Sequence, residues 1–175
     1  MIDKIKQIIS NGEGLTVEFK TCENELTSSV YETVSSFSNR YGGYLLLGVQ
    51  NDGTIIGVNP DKVSKMKHDF VTAINNPNMM TPTLFIMFES VEIDGMTILW
   101  CYIPPHSQIV MYNGKIFDRT EDADLDITQN SEMVAHIHRR KAADYSERKV
   151  FPYINESDFE FERLMPIVRT LAVNN

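Results

Sequence analysis

Cysteine is scarce in this chain. Among 175 residues there are two, Cys22 and Cys101, and they share no CxxC spacing, so neither a disulfide framework nor a cysteine zinc site is expected. Long apolar runs are missing as well. None approaches the ~20 residues that a membrane-spanning helix needs, and residues 1–9 alternate charged with apolar side chains where a signal peptide would carry an apolar core. These absences exclude a membrane as partner and make the cytoplasm the expected location. Positive charge is also in short supply: 16 Lys and Arg against 24 Asp and Glu leave a formal charge of -8. A uniformly basic nucleic-acid binder is thereby excluded, because attraction to phosphate backbones is mostly cationic. Neither GxxxxGK[ST] nor GxGxxG occurs, so no phosphate-cradling loop for ATP hydrolysis is present.

What remains is the composition of an ordinary globular protein, 42% hydrophobic and 23% charged, long enough to bury a core in one domain. The few cations are clustered. Residues 121–175 carry 7 basic side chains, and five of them are Arg139, Arg140, Lys141, Arg148 and Lys149.

Periodicity places the elements. Ile2, Ile5, Ile8 and Ile9 predict an opening helix that stops at Asn11-Gly12, and Leu15 to Lys20 alternates as a strand. Residues 25–40 predict an amphipathic helix with Leu26, Val30, Val34 and Phe37 inward. Tyr44 to Val49 is an apolar strand buried on both faces, and Asn51-Asp52-Gly53 turns it into a return arm, Thr54 to Val58. Val63 to Ile74 is a further amphipathic helix. Thr83–Ile93 with Met96–Ile103, and Ile109–Tyr112 with Lys115–Asp118, predict two more hairpins. Thr128 begins a helix bearing Met133, Val134 and Ile137. The expected fold is therefore α+β, a mixed or antiparallel sheet of hairpins flanked by amphipathic helices. Residues 1–142 form the domain; residues 143–175 are expected to be a linker followed by a docking segment, through which the chain could pair as a homodimer.

Two stretches stand in a telling order: Glu13-Gly14-Leu15-Thr16-Val17-Glu18-Phe19-Lys20, then, after a helix, Gly42-Gly43-Tyr44-Leu45-Leu46-Leu47-Gly48-Val49 with Gly53 and Gly57 following. Over roughly residues 10–142 this order resembles the Schlafen AlbA-like DNA-binding domain family. The resemblance implies an N-terminal module of bacterial transcriptional regulators or divergent ATPases, with DNA or RNA as partner. The family usually places an Arg, a small or polar residue and a Gly after a late strand. Here Phe117-Asp118-Arg119-Thr120-Glu121-Asp122 keeps the Arg and lacks the Gly.

Some relatives in that family cleave RNA with two glutamates spaced E-x4-E and a later aspartate. Glu13 and Glu18 have that spacing and Asp52 is the candidate third acid, which would make all three catalytic and Glu13 and Glu18 ligands for Mg²⁺ or Mn²⁺. Asp before Gly in a turn needs no catalytic reason, however, and Glu18 with Lys20 can equally be a satisfied polar pair on a strand. For Gly48 the alternatives are a glycine required by the fold and one leaving room for a ligand. His136 and His138, two apart on a helix, make a poor metal pair. The leading expectation is a non-catalytic nucleic-acid-binding module, without cofactor, using Lys20, Arg119, Arg139, Arg140 and Lys141. A metal-dependent RNA endonuclease and a protein-interaction or dimerisation module are the alternatives.

Overall fold

The computed structural model describes residues 2–121 and 123–147, with side chains to residue 142; the expected docking segment beyond Glu147 lies outside the described residues. The order is α1 (Ile2–Asn11), β1 (Val17–Lys20), α2 (Ser28–Asn39), β2 (Gly43–Leu47), a 3₁₀ turn at Pro60–Lys62, α3 (Val63–Ile74), β3 (Met80–Thr81), β4 (Glu89–Ile93), β5 (Met96–Ile103), β6 (Met111–Tyr112), β7 (Lys115–Arg119), β8 (Asp124–Asp126) and α4 (Ser131–Glu147). The fold is α+β, as the periodicity predicts. The strands form two sheets, β1-β2-β5-β4 and β3-β6-β7-β8. In the first, β1 runs parallel to β2 while β2–β5 and β4–β5 are antiparallel; the described pairs of the second are all antiparallel.

Both faces of the first sheet are covered, which is why β2 lacks polar alternation. Leu46 and Trp100 belong to a core with Ile5, Ile8 and Ile9 of α1. Leu45, Leu47, Leu99 and Cys101 belong to a second core with Val30, Val34 and Phe37 of α2 and Met66 and Phe70 of α3.

α2 is more deeply placed than an amphipathic surface helix. Its apolar side chains bury as predicted, yet Thr33, Ser35, Ser36, Ser38 and Asn39 are buried too. The second sheet covers that polar face and satisfies it, as buried polar atoms require. Asn39 Nδ2 donates to Val110 O at 2.8 Å and Phe117 O at 2.9 Å, while its Oδ1 accepts from Val110 N at 2.8 Å. Ser35 Oγ donates to Val110 O as well.

One expected strand does not form and another forms only in part. Thr54–Val58 makes one bridge, Val49 with Ile55, then folds back so that Ile56 N and Gly57 N both donate to Gly48 O. Gly48 sits at φ +88°, and a Cβ there would lie 2.7 Å from Gly57 C and 2.9 Å from Val58 N. The close approach to Gly48 is thus made by the chain's own return arm. Thr83–Phe88 likewise runs outside the sheet, and only Glu89–Ile93 pairs with β5. At the C-terminal side α4 continues through position 142, so Tyr145–Glu147 is helical. Among the described residues no helix is long and apolar enough to cross a membrane.

Gly48→Ala is expected to lower the unfolding free energy by about 2–4 kcal/mol, from a left-handed backbone and a clash with backbone atoms that cannot swing aside. Urea unfolding would show it as a lower midpoint at an unchanged slope; a midpoint equal to that of the parent chain would contradict it.

Candidate nucleic-acid interface

Arg119 ends β7, and its side chain is fully buried. Its Nη2 donates to Glu18 Oε2 at 2.5 Å and to Gly14 O at 2.9 Å. Its Nε reaches Gly14 O at 3.2 Å, and its Nη1 reaches Asp124 Oδ1 at 3.0 Å. The guanidinium lies 5.1 Å from the centroid of the Phe37 ring. Asp124 in turn accepts from Thr33 Oγ1 at 2.6 Å and from Ser36 Oγ. The structure corrects the expected role of Arg119 as a phosphate contact: all its polar directions are spent inside the protein, and a solvent-borne phosphate cannot reach it.

Glu18 shares this interior. One carboxylate oxygen meets Arg119 and the other accepts from Lys20 Nζ. Lys20 is about one-fifth exposed, so its cation faces outward only in part. Glu13 approaches the same cluster, its Oε1 accepting from Phe19 N at 2.9 Å. Burial, with repulsion from Glu18, holds the Glu13 carboxyl above its ordinary 4.5, although the Phe19 bond opposes that shift. Asp52 is exposed, and its Oδ1 accepts from Thr54 N at 2.8 Å, which closes its own turn and holds its carboxyl below the ordinary range.

These three acids do not compose the divalent-metal site that E-x4-E implies. Glu18 is flanked by two cations that a metal ion would have to displace or repel, and Asp52 serves its turn. Among the described residues no group of three or more His, Cys, Asp or Glu is placed to hold a metal ion. The cluster is near neutral by charge pairing: Glu18 and Asp124 against Arg119 and Lys20.

The basic run on α4 divides by helical phase. Lys141 is buried, its Nζ donating to Ser38 O at 2.9 Å and His106 O at 2.6 Å. Its expected phosphate contact is likewise corrected, for it fastens α4 to the end of α2 and to the loop after β5. Arg140 is half-buried; its Nη2 donates to Asn39 O at 2.8 Å and Asp118 Oδ1 at 3.1 Å. Arg139 is exposed. It lines a recess of about 300 Å³ with Arg40, Asp118, Glu132, Met133 and His136. Arg40 was not singled out by the sequence. Its Nη1 meets Asp118 Oδ2 at 2.8 Å, so one buried carboxylate is shared by Arg40 and Arg140, and the Nε of each is buried without a partner.

A family model described as Schlafen, AlbA_2 matches residues 13–128. The chain belongs to the Schlafen, AlbA_2 family. Its match begins at Glu13, includes the whole Arg119–Glu18–Asp124 network, and stops before α4. Among solved structures, the N-terminal domain of a RecG-related protein from Nitrosomonas europaea is similar at 26% identity and a TM-score of 0.44, covering 57% of this chain and 72% of that one. The DIP2311 protein from Corynebacterium diphtheriae is similar at 14% identity and a TM-score of 0.52, covering 71% of this chain. This chain spans 29% of that protein's length, and the likeness is one of fold. Among curated proteins, none matches.

Arg119→Ala should cost about 3–5 kcal/mol, the loss expected when one partner of a buried ion pair is removed and the others stay charged. Chemical denaturation of both proteins would measure it, and a loss below about 1 kcal/mol would show that the network carries little. The raised Glu13 carboxyl sets a sign with pH. The folded state holds that proton more tightly than the unfolded chain does, so the group favours folding below about pH 4.5. That contribution disappears as pH rises through the folded value. Relative to Glu13→Gln, the parent chain should therefore lose stability as pH rises above about 4.5; parallel stability curves would refute the shift.

Proposed function

We propose that this chain is a non-catalytic nucleic-acid-binding module of a bacterial transcriptional regulator, and that it contacts phosphates at the α2–α4 recess. The carrying observation is the sharing of Asp118 by two arginines. Arg40 and Arg139 line the recess with Asp118 and Glu132, and Arg140 reaches Asp118 from beside it, so three guanidinium groups stand against two carboxylates. Guanidinium groups suit phosphate because their planar forks give two parallel bonds, and Arg139 presents an exposed one.

The family assignment supports a nucleic-acid role without deciding between DNA and RNA. Relative to the expected set of five cations, Arg139 and Arg140 keep their role, Arg40 and His136 join them, and Lys20 is a peripheral contact at most. Less supports the endonuclease alternative, because both oxygens of Glu18 are engaged by cations.

Fluorescence anisotropy with labelled single- and double-stranded DNA and RNA, at two salt concentrations, tests this. Binding should weaken steeply with salt. Arg139→Glu should weaken it further, and should reduce the log–log salt slope by about 0.7–0.9 for each phosphate that is no longer neutralised. Arg139 is exposed and supports no described ion pair, so folding should be unaffected. Equal affinity of the variant and parent for every probe would remove the recess as the interface; absence of binding at low salt would remove the function.

A further inference from the structure

The face of the first sheet on which α1 packs is covered only in part. Leu46 and Trp100 share a core there with Ile5, Ile8 and Ile9 of α1. Side chains two apart on a strand share a face, so Tyr44 of β2 and Tyr102 of β5 continue it. They are direct cross-strand partners, with ring centroids 5.1 Å apart. Tyr102 is 46% exposed, and Tyr41, in the turn before β2, is 56% exposed. Gly42 brings these two together. A Cβ there would lie 3.0 Å from Tyr102 Oη, so the Tyr102 side chain reaches over the backbone next to Tyr41. Tyr41, Tyr102 and Tyr44 thus follow one another in a row.

Both ends of the row are cationic. At one end the Arg40 guanidinium lies 5.5 Å from the Tyr41 ring centroid, and Arg40 also lines the recess beside Arg139. At the other end Lys4 of α1 is exposed. Its Nζ lies 4.8 Å from the Tyr44 ring centroid and donates to Tyr44 Oη at 2.7 Å. Aromatic rings that lead out of a cationic recess toward a further cation match a ligand in which flat bases alternate with phosphates.

We infer that Tyr41, Tyr102 and Tyr44 are a stacking platform for unpaired bases, so that the nucleic acid held at the recess is single-stranded; this rests on the recess being the phosphate site. A duplex keeps its bases stacked on one another and can offer the row little besides backbone. An unpaired strand frees a π-face for each ring. Because every base has such a face, the platform selects for strandedness rather than for sequence.

Fluorescence anisotropy of the full chain with a labelled mixed-sequence DNA oligonucleotide, unpaired and as its duplex, tests this at matched salt. The unpaired strand should bind more tightly. Tyr41→Ala and Tyr102→Ala should each weaken it about 5–100-fold while leaving duplex affinity unchanged, a result that misfolding would not give. The salt slope should stay the same, since no phosphate contact is lost. Tyr102→Phe keeps the ring and should bind as the parent does. 2-Aminopurine placed in the unpaired strand should lose emission on binding the parent, as a stacked base does, and lose less with either alanine variant. Equal parent affinity for both forms of the oligonucleotide would overturn the platform and leave the recess as a phosphate site. So would alanine variants that bind the unpaired strand as the parent does. If neither form binds at low salt, the recess reading itself fails and takes the platform with it.

Discussion

A buried guanidinium holds this molecule together. Arg119 brings a full charge into the interior, and burying a charge is tolerated only when it is paired and hydrogen-bonded on every side. Its partners come from three places: Glu18 and the Gly14 carbonyl at β1, Asp124 at β8, and the Phe37 ring of α2. The first sheet, the second sheet and the helix between them are thereby tied through one side chain. Lysine could not replace it, because a point charge on a flexible stem cannot serve carbonyl and carboxylate groups in several fixed directions. Glu18 and Asp124 are consequently not free for other work. Each neutralises part of a charge that would otherwise be stranded.

The same constraint redistributes the chain's few cations. Of 16 Lys and Arg, Arg119 and Lys141 are inside the protein and Arg40 and Arg140 are bound to one buried carboxylate. Glu18 and Asp118 are buried with them, so the exterior keeps the acidic surplus of the whole chain, and whatever attracts phosphate must be local. α4 supplies such a locality by phase. Ile137 and Lys141 are four apart and turn inward; Glu132, His136 and Arg139 follow at spacings of four and three and turn toward the recess.

Much of the fold was legible because burial leaves periodic marks. The isoleucines of α1, the apolar run of β2 and the Asp94-Gly95 and Asn113-Gly114 turns all form where pattern and turn chemistry placed them. Thr54–Val58 misled because a turn signal does not fix how far the returning arm pairs, and Thr83–Phe88 misled for a different reason. Alternation marks an extended chain with one buried face, and Leu84, Ile86 and Phe88 do bury, but alternation does not say whether a neighbouring strand is there to pair. β8 was invisible because Asp124-Leu125-Asp126 has the composition of a solvated loop. Its acids are held by Arg119, Thr33 and Thr128, which are distant in sequence or unremarkable in type.

The candidate site was legible in part for a related reason. The resemblance singled out Glu18 and Arg119, and they do meet, but spacing cannot distinguish a cation that faces solvent from one that a carboxylate draws inside. Arg40 carried no signal at all, because its importance arises from Asp118, 78 positions away. Helical phase could have separated Arg139 from Lys141, since Ile137 fixes the inward face and Lys141 follows it by one turn. Applied first, that phase would have assigned Lys141 to the core contact and left Arg139 as the exposed member of the run. The physical lesson concerns α4 as a single rigid body. The lysine that anchors it beside His106 and the arginine that lines the recess stand two residues apart on it, so the buried contacts of Lys141 also fix where Arg139 stands.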